Sequence, residues 1–270
     1  MMELPFLNEI VDACTGIFQA GWGENHAGNI SFLLTQEEVN LYLSQQPSQG
    51  EPYIFSLATP VKDLDGKYFL VTSAGGRFKN IEKHPNSYLG IIQIINNGEE
   101  YKIIWGFEGN KKPTSELPTH LLSHVERLKV DSKHRIILHC HPTYTIGMTF
   151  IHELKEDSFT KTMWSLNSEC ILVFPEGIGM LPWMVCGNGK IGSETANKMQ
   201  EYRIVIWPHH GILASGQSVD QALGLIETVE KNAQVYTITA DKQKQCMTEE
   251  QIMELAEAFG LSPRSGILNH

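Results

Sequence analysis

The chain has 270 residues, enough to bury a full hydrophobic core in one large domain or two small ones. Hydrophobic residues make up 41% of the sequence, which argues against disorder, and the formal net charge of −10 argues against nucleic-acid binding through phosphate neutralisation. An anionic ligand would have to be held by local donors rather than attracted by the overall field.

Cysteine usage and the N-terminus indicate the compartment. The five cysteines are scattered, odd in number and without a C-x-x-C pair: Cys14, Cys140, Cys170, Cys186 and Cys246. This pattern predicts reduced thiols rather than a disulfide framework, and it excludes a zinc-ribbon site. The first residues carry no basic leader and no uninterrupted apolar segment, so neither a signal peptide nor a membrane span is predicted. We therefore expect a cytoplasmic protein.

The first half of the chain predicts one helix followed by several strands. Apolar residues recur at helical spacing from Leu4 to Phe18, and the glycines of "GWGENHAGNIS" end that helix. The polar stretch "QQPSQGEP" at 45–52 predicts an exposed loop. The runs "YFLVTS", "LGIIQI" and "EYKIIWGF" are typical of strands, and Asn97-Gly98 between the last two predicts a hairpin.

The second half alternates predicted helices with apolar strands. "PTSELPTHLLSHVERLKV" predicts a helix, and "RIILHCH", "CILVFP" and "RIVIWPHHG" predict buried strands. Two later helices are predicted to start with capping boxes, Ser218 with Gln221 and Thr248 with Gln251, and the last one to end at Gly260. No repeat or long linker divides the chain. We predict a single α/β domain over residues 1–270, with a central, largely antiparallel or mixed β-sheet flanked by helices.

Two histidines at the end of a predicted strand raise the question of a metal site. His139 and His141 flank a cysteine in "LHCHP", and because strand side chains alternate, both imidazoles face the same way. The pair alone is a weak signal in a sequence with 11 histidines, and a strand end that meets solvent is an equally ordinary explanation. A third ligand could be His209 or His210 in "VIWPHHG", since three imidazoles and one open position are typical of catalytic zinc.

Two carboxylates could decide what such a metal does. Glu116 stands in "PTSELP" at a helix start, where it could be a general base toward a C–H next to a carbonyl or could merely favour the helix dipole. Glu169 precedes the apolar run "CILVF", and by itself it is more simply a strand-end charge in solvent.

Three segments could hold a phosphate, because turns of small residues present backbone N–H groups to anions. They are "HAGNIS" at 26–31, "TSAGGRF" at 72–78 and "PTSE" at 113–116, although each could equally be a plain turn. None matches a nucleotide-binding glycine motif, so a nucleotide is not indicated.

Longer motifs, in this order along the chain, resemble the class II aldolase/adducin superfamily and within it the aldolases of sugar phosphates. They are "GNIS", "PTSELPTHLLSHVERLK", "HCHPT", "SECILVFPEGIGMLPWMV" and "IWPHHG". The likeness runs from the first helix to the C-terminal helix, so it covers nearly the whole chain. "PTSELPTHLLSH" and "GMLPWMVCG" are more specific than the histidine pair, and they favour the branch that acts in rhamnose metabolism.

The resemblance implies roles for individual residues. His139, His141 and His210 correspond to the ligands of one Zn²⁺ per subunit, and His210 rather than His209 matches the histidine before the glycine. Glu116 corresponds to the catalytic acid/base, and Glu169 to a second carboxylate near the metal. The residues that correspond to the phosphate-binding places are Gly28, Asn29, Ser73, Gly75 and Ser115.

The implied reaction is reversible cleavage of a ketose 1-phosphate to dihydroxyacetone phosphate and an aldehyde, through an enediolate whose charge the metal stabilises. No Schiff-base lysine is required. The resemblance further implies a homotetramer with sites near subunit boundaries, and neither nucleic acid nor membrane is expected as a partner. The alternatives are a pentulose-phosphate 4-epimerase, an L-fuculose-1-phosphate aldolase, and an adducin-like scaffold without metal.

The other histidines receive simpler interpretations. His120 and His124, one helical turn apart, are expected to pack or hydrogen-bond beside the site. The remaining ones are predicted to be surface residues without partners: His84, His134, His152 and His270.

Overall fold

The computed structural model describes residues 4–45, 53–109 and 111–268. Residues 46–52 of the loop predicted at 45–52 lie outside the described residues, as does the predicted surface residue His270, whereas Gln45 ends a helix. Among the residues described, no helix is long and apolar enough to cross a membrane.

Nine strands of the described chain form one sheet. In chain order they are β1 Asn29–Leu34, β2 Ile54–Ser56, β3 Tyr68–Thr72, β4 Leu89–Ile95, β5 Glu100–Gly106, β6 Ile136–Cys140, β7 Gly179–Met180, β8 Ile204–Trp207 and β9 Gly211–Gly216. The strand order is β2-β5-β4-β3-β1-β6-β9-β8-β7. Every neighbouring pair is antiparallel except β7 with β8, which is parallel. The predicted mixed, largely antiparallel sheet is therefore confirmed.

The helices pack on both faces of this sheet. They are α1 Pro5–Gln19, α2 Gln36–Gln45, α3 Phe78–Ile81, α4 Pro85–Tyr88, α5 Leu117–Val130, α6 Thr143–Ile151, α7 Glu156–Leu166, α8 Ser168–Val173, α9 Gly189–Met199, α10 Val219–Thr239 and α11 Glu249–Ala258. Strand β6 shows the division, because Leu138 and Cys140 join the core formed with α1 and α10, while Ile137 joins Leu213 and residues of α9. The α/β prediction of helices flanking a central sheet is confirmed.

Local signals placed most elements correctly. The β4–β5 hairpin turns at Asn96, Asn97 and Gly98, all with positive φ, as the Asn-Gly motif predicts. Helix α11 has the full predicted capping box. At α10 the Ser218 side chain accepts from the backbone N–H of Gln221, but the Gln221 side chain accepts from the N–H of Gln217 instead of Ser218.

The predicted strand "CILVFP" is wrong, because the segment forms α8. The Asn167 side chain caps this helix by accepting from the N–H of Glu169, and Cys170 and Ile171 form its buried face. A short apolar run does not distinguish a buried strand from a buried helical turn by periodicity, so the cap decided the outcome.

The predicted surface position of His134 is also wrong. His134 is 2% exposed, and its Nε2 lies 2.9 Å from Nδ1 of His124. Spacing along the chain could not reveal this contact, because the two imidazoles meet only after α5 packs on the sheet.

Candidate metal centre and active site

Four strand ends meet at one edge of the sheet. Because β1 runs antiparallel to β3 and β6, and β9 antiparallel to β6, the starts of β1 and β9 lie beside the ends of β3 and β6. Asn29 pairs with His139 across β1 and β6, and Glu116 occupies the N-cap position of α5, without a side-chain capping bond, at the same edge. These elements enclose a cavity of about 420 Å³.

Three histidine rings converge in this cavity. The ligand atoms of His139, His141 and His210 all lie within 4.8 Å of one another. His139 and His141 face the same way, as strand alternation predicts, with ring centroids 5.0 Å apart. The ring of His210 completes the group, with its centroid 4.8 Å from His141 and 5.2 Å from His139.

Hydrogen bonds at the back of two rings decide which nitrogens face the cavity. Nδ1 of His139 donates to the carbonyl of Ile212 at 3.0 Å, and Nδ1 of His141 donates to the Glu24 carboxylate at 2.9 Å. With Nδ1 as the donor, the Nε2 atom of each ring is the one that can offer a lone pair to a ligand, and the two Nε2 atoms lie 3.2 Å apart. Two facing lone pairs repel, unless a cation lies between them.

This arrangement fits a divalent metal. Two nitrogens on tetrahedral Zn²⁺, each at about 2.0–2.1 Å, would be about 3.3 Å apart, close to the observed separation of the His139 and His141 Nε2 atoms. Burial and the other two rings hold the pKa of His139 well below its usual value, and burial lowers the pKa of His210 to about 4. Neutral imidazole is the form that binds metal, so burial favours the metal-binding form of His139 and His210.

Glu116 lies next to the histidines and is largely buried. Its Oε2 is 3.9 Å from Nε2 of His139 and accepts a hydrogen bond of 3.0 Å from Nδ2 of Asn29. Burial raises the pKa of the carboxyl, while the Asn29 bond and His141 oppose the rise. A carboxyl with a raised pKa beside a metal site is suited to exchange protons with a bound substrate.

The three predicted phosphate segments come together in the same cavity, whose wall includes Gly28, Ser73, Gly75 and Ser115. Ser73 Oγ is buried and has no hydrogen-bond partner in the described part of the chain. Gly75 and Gly28 line the cavity with positive φ, a backbone conformation that glycine adopts without strain. The amide of Asn29 is already engaged, with Nδ2 on Glu116 and Oδ1 on His120.

Glu169 and His209 are not among the described residues that line the cavity, and two residues that do line it were not predicted. Glu169 is exposed on α8 and is not among the described residues that line the cavity. His209 is exposed, and its Nδ1 lies 3.2 Å from Thr149 Oγ1. Glu24 and Cys186 were not predicted, yet both line the cavity; no motif marks either, since their approach depends on tertiary packing.

Comparison with known proteins supports this description. A family model described as the Class II Aldolase and Adducin N-terminal domain matches residues 8–237. A relative from Listeria monocytogenes serovar 1/2a, named rhamnulose-1-phosphate aldolase, is 45% identical over 273 residues, covering 100% of this chain and 98% of the relative. A relative of the same name from Enterococcus faecalis is 42% identical and covers 99% of this chain and 96% of its own.

Solved structures show the same fold. The crystal structure of a sugar-phosphate aldolase from Thermotoga maritima matches with a TM-score of 0.74 and 26% identity, covering 89% of this chain and 97% of its own. A structure of L-fuculose 1-phosphate aldolase matches with a TM-score of 0.62 and 19% identity, covering 97% and 99% of the two chains, which shows likeness of fold alone.

Proposed function

The chain belongs to the class II aldolase and adducin family, and from that membership we propose that it is the metal-dependent aldolase of rhamnose catabolism. The reaction is the reversible cleavage of L-rhamnulose 1-phosphate to dihydroxyacetone phosphate and L-lactaldehyde. The observation that carries the proposal is the convergence of three histidines and a buried glutamate with three turn segments in one cavity. The full-length relatives named rhamnulose-1-phosphate aldolase support the substrate.

His139, His141 and His210 would hold one Zn²⁺ per subunit. The donor set supports zinc, because imidazole nitrogen is among its usual ligands and three of them leave a position open. When bound, the metal supplies Lewis-acid stabilisation of the negative charge that develops on the substrate oxygens.

Glu116 moves the proton at the reacting carbon. Cleavage breaks the C3–C4 bond: the C4 hydroxyl passes its proton to the Glu116 carboxylate and becomes the aldehyde carbonyl, and the bonding pair passes to the ketone half to form an enediolate. Glu116 then delivers a proton to C3 of the enediolate and completes dihydroxyacetone phosphate; in the synthetic direction it removes that proton. The hydrogen bond from Asn29 holds the carboxylate in place for both steps.

The turn segments hold the phosphate. Ser73 Oγ, buried and without a described partner, would donate to a phosphate oxygen, together with the exposed hydroxyl of Ser115. Backbone N–H groups near Gly28 and Gly75 add donors of the kind that bind anions in turns. The side-chain amide of Asn29 already bonds Glu116 and His120, so we do not assign it a direct hydrogen bond to the phosphate.

The experiment is a substrate comparison with the purified, metal-loaded protein. L-Rhamnulose 1-phosphate, L-fuculose 1-phosphate and a pentulose 5-phosphate are supplied in turn, and dihydroxyacetone phosphate is detected by a coupled assay. We expect the highest kcat/KM with L-rhamnulose 1-phosphate. Faster cleavage of the fuculose ester, epimerisation of the pentulose ester without cleavage, or no reaction with any of them would contradict the proposal.

A homotetramer is part of the proposal, and a role for Glu169 in the active site depends on that assembly. Because Glu169 is exposed and away from the cavity lining of its own chain, it could serve a site only from a neighbouring subunit. Sedimentation equilibrium measures the assembly. Loss of turnover in Glu169→Gln with an unchanged tetramer would support a role across the subunit boundary, and unchanged turnover would exclude one.

A further inference from the structure

A chain of buried hydrogen bonds leads away from Glu116 along the inner face of α5. Asn29 Nδ2 donates to Glu116 Oε2 at 3.0 Å, and Asn29 Oδ1 contacts Nε2 of His120. Nδ1 of His120 lies 2.7 Å from Oγ of Ser31. His120 and Ser31 are both completely buried, so water cannot substitute for these contacts.

The chain continues beyond Ser31. Its Oγ also lies 2.8 Å from Nε2 of His124, and Nδ1 of His124 lies 2.9 Å from Nε2 of His134. His134 stands five residues before His139, so the chain extends about 16 Å from the metal-site end of β6 at the usual rise of a strand. His120 and His124 reach it together because they lie one turn apart on α5.

Only one direction of donation satisfies every contact. A carboxylate accepts, so the Asn29 amide nitrogen faces Glu116 and its oxygen must accept from Nε2–H of His120. The neutral His120 ring then has an acceptor at Nδ1, which takes the single hydroxyl proton of Ser31.

The same logic fixes the other half. Ser31 has no second proton, so its oxygen accepts from Nε2–H of His124, and the Nδ1 of His124 accepts from Nε2–H of His134. All three rings must be neutral, and burial supports this because it lowers the pKa of His120 and His134 to about 3 and that of His124 well below its usual value. The five bonds donate in one sense, from His134 toward Glu116, which strengthens each of them.

We propose that Ser31, His120, His124 and His134 are positioning residues that lock the orientation of the Asn29 amide, and through it the carboxylate of Glu116. If His120 carried its proton on Nδ1 instead, the lone pair on Nε2 would face the Asn29 oxygen. The amide would then turn over and present oxygen to the Glu116 carboxylate, which is repulsive. The amide of Asn29 passes no proton, so the chain acts by orientation rather than by proton transfer.

Ser31→Ala tests this, because it removes one hydroxyl and breaks the chain without touching Glu116. The matched control is Ser123→Ala on α5, where a completely buried hydroxyl has no hydrogen-bond partner among the residues described. Ser31→Ala removes the bonds of the hydroxyl to both His120 and His124. We expect it to lower kcat about tenfold, which corresponds to about 1.4 kcal/mol in the barrier, with KM within about twofold and full metal content. Ser123→Ala should keep kcat within about twofold.

Equal effects of the two substitutions on kcat would overturn the proposal, since a merely structural hydroxyl would then explain both. If Ser31→Ala does not fold, the wild-type metal-loaded protein decides by ¹⁵N NMR of labelled histidines, assigned with His120→Gln. A proton on Nε2 of His120 supports the chain, and a proton on Nδ1 or on both nitrogens overturns it. The kinetic measurement rests on the proposed function, whereas the NMR measurement stands even if no ketose phosphate is cleaved.

Discussion

His209 and His210 are neighbours in sequence but lie in different surroundings. His209 has a left-handed backbone with φ of 62°, and its ring lies tilted against that of Phe150, with centroids 4.4 Å apart, outside the histidine cluster. The His210 ring points inward and meets those of His139 and His141. The turn before β9 therefore separates the two imidazoles, and only one of them can complete a three-nitrogen site.

This difference predicts unequal effects of the same substitution. His210→Asn should reduce bound zinc from one per chain to a small fraction, because two imidazoles bind far more weakly than three. His209→Asn should retain one zinc per chain, since asparagine tolerates the left-handed backbone. Metal analysis after gel filtration measures both. Retention of zinc by His210→Asn with loss from His209→Asn would contradict the ligand assignment.

For individual residues, the sequence predicted the position of a side chain correctly where a single local rule applied. Strand alternation placed His139 and His141 on one side, and the resemblance selected His210. The burial of Glu116 and the contact of His134 with His124 were beyond local reasoning, because both depend on how α5 packs on the sheet.

Strand β9 begins at Gly211, where two backbones approach closely. A Cβ at this position would lie 2.5 Å from the Cys140 carbonyl oxygen and 2.9 Å from Cδ2 of His141. The glycine next to His210 therefore allows β9 to lie against the end of β6, which brings the third histidine to the other two.

Gly211→Ala should push the two strand ends apart. We expect a loss of about 1–3 kcal/mol in the free energy of unfolding and a fall of about ten- to hundredfold in zinc affinity. The control is Gly224→Ala in α10, where a Cβ meets nothing within 4 Å, so alanine should stabilise the helix by about 0.5–1 kcal/mol. Denaturant unfolding and zinc competition with a chelator measure these changes, and equal zinc affinity in both variants would refute this role for Gly211.

Elements with strong local signals were predicted correctly, and ambiguous ones were not. The Asn-Gly motif predicted the β4–β5 hairpin, because both residues readily adopt the positive φ angles of the tight turns that join antiparallel strands. The apolar run of α8 was ambiguous, because its β-branched residues favour a strand while the cap at Asn167 favours the helix that forms.

The whole molecule matters because the strand order assembles the site. Residues in or next to the ends of β1, β3, β6, β9 and α5 meet at one edge only because distant strands pair in the order observed. Long-range pairing cannot be read from local periodicity, so the residues alone predicted the pieces of the site but not their convergence. The family resemblance supplied that arrangement, while the extent of the domain over residues 1–270 stays a prediction.

The central claim is that one metal and Glu116 act together in ketose-phosphate cleavage. The most direct measurement is a zinc titration of metal-free protein while cleavage of L-rhamnulose 1-phosphate is followed, with Glu116→Gln beside the wild type. We predict that wild-type activity rises to a break at one zinc per chain. Glu116→Gln should bind the same zinc and turn over about 10²–10⁴-fold more slowly, because it lacks the acid/base group. Full activity without metal, or wild-type turnover in Glu116→Gln, would contradict the account.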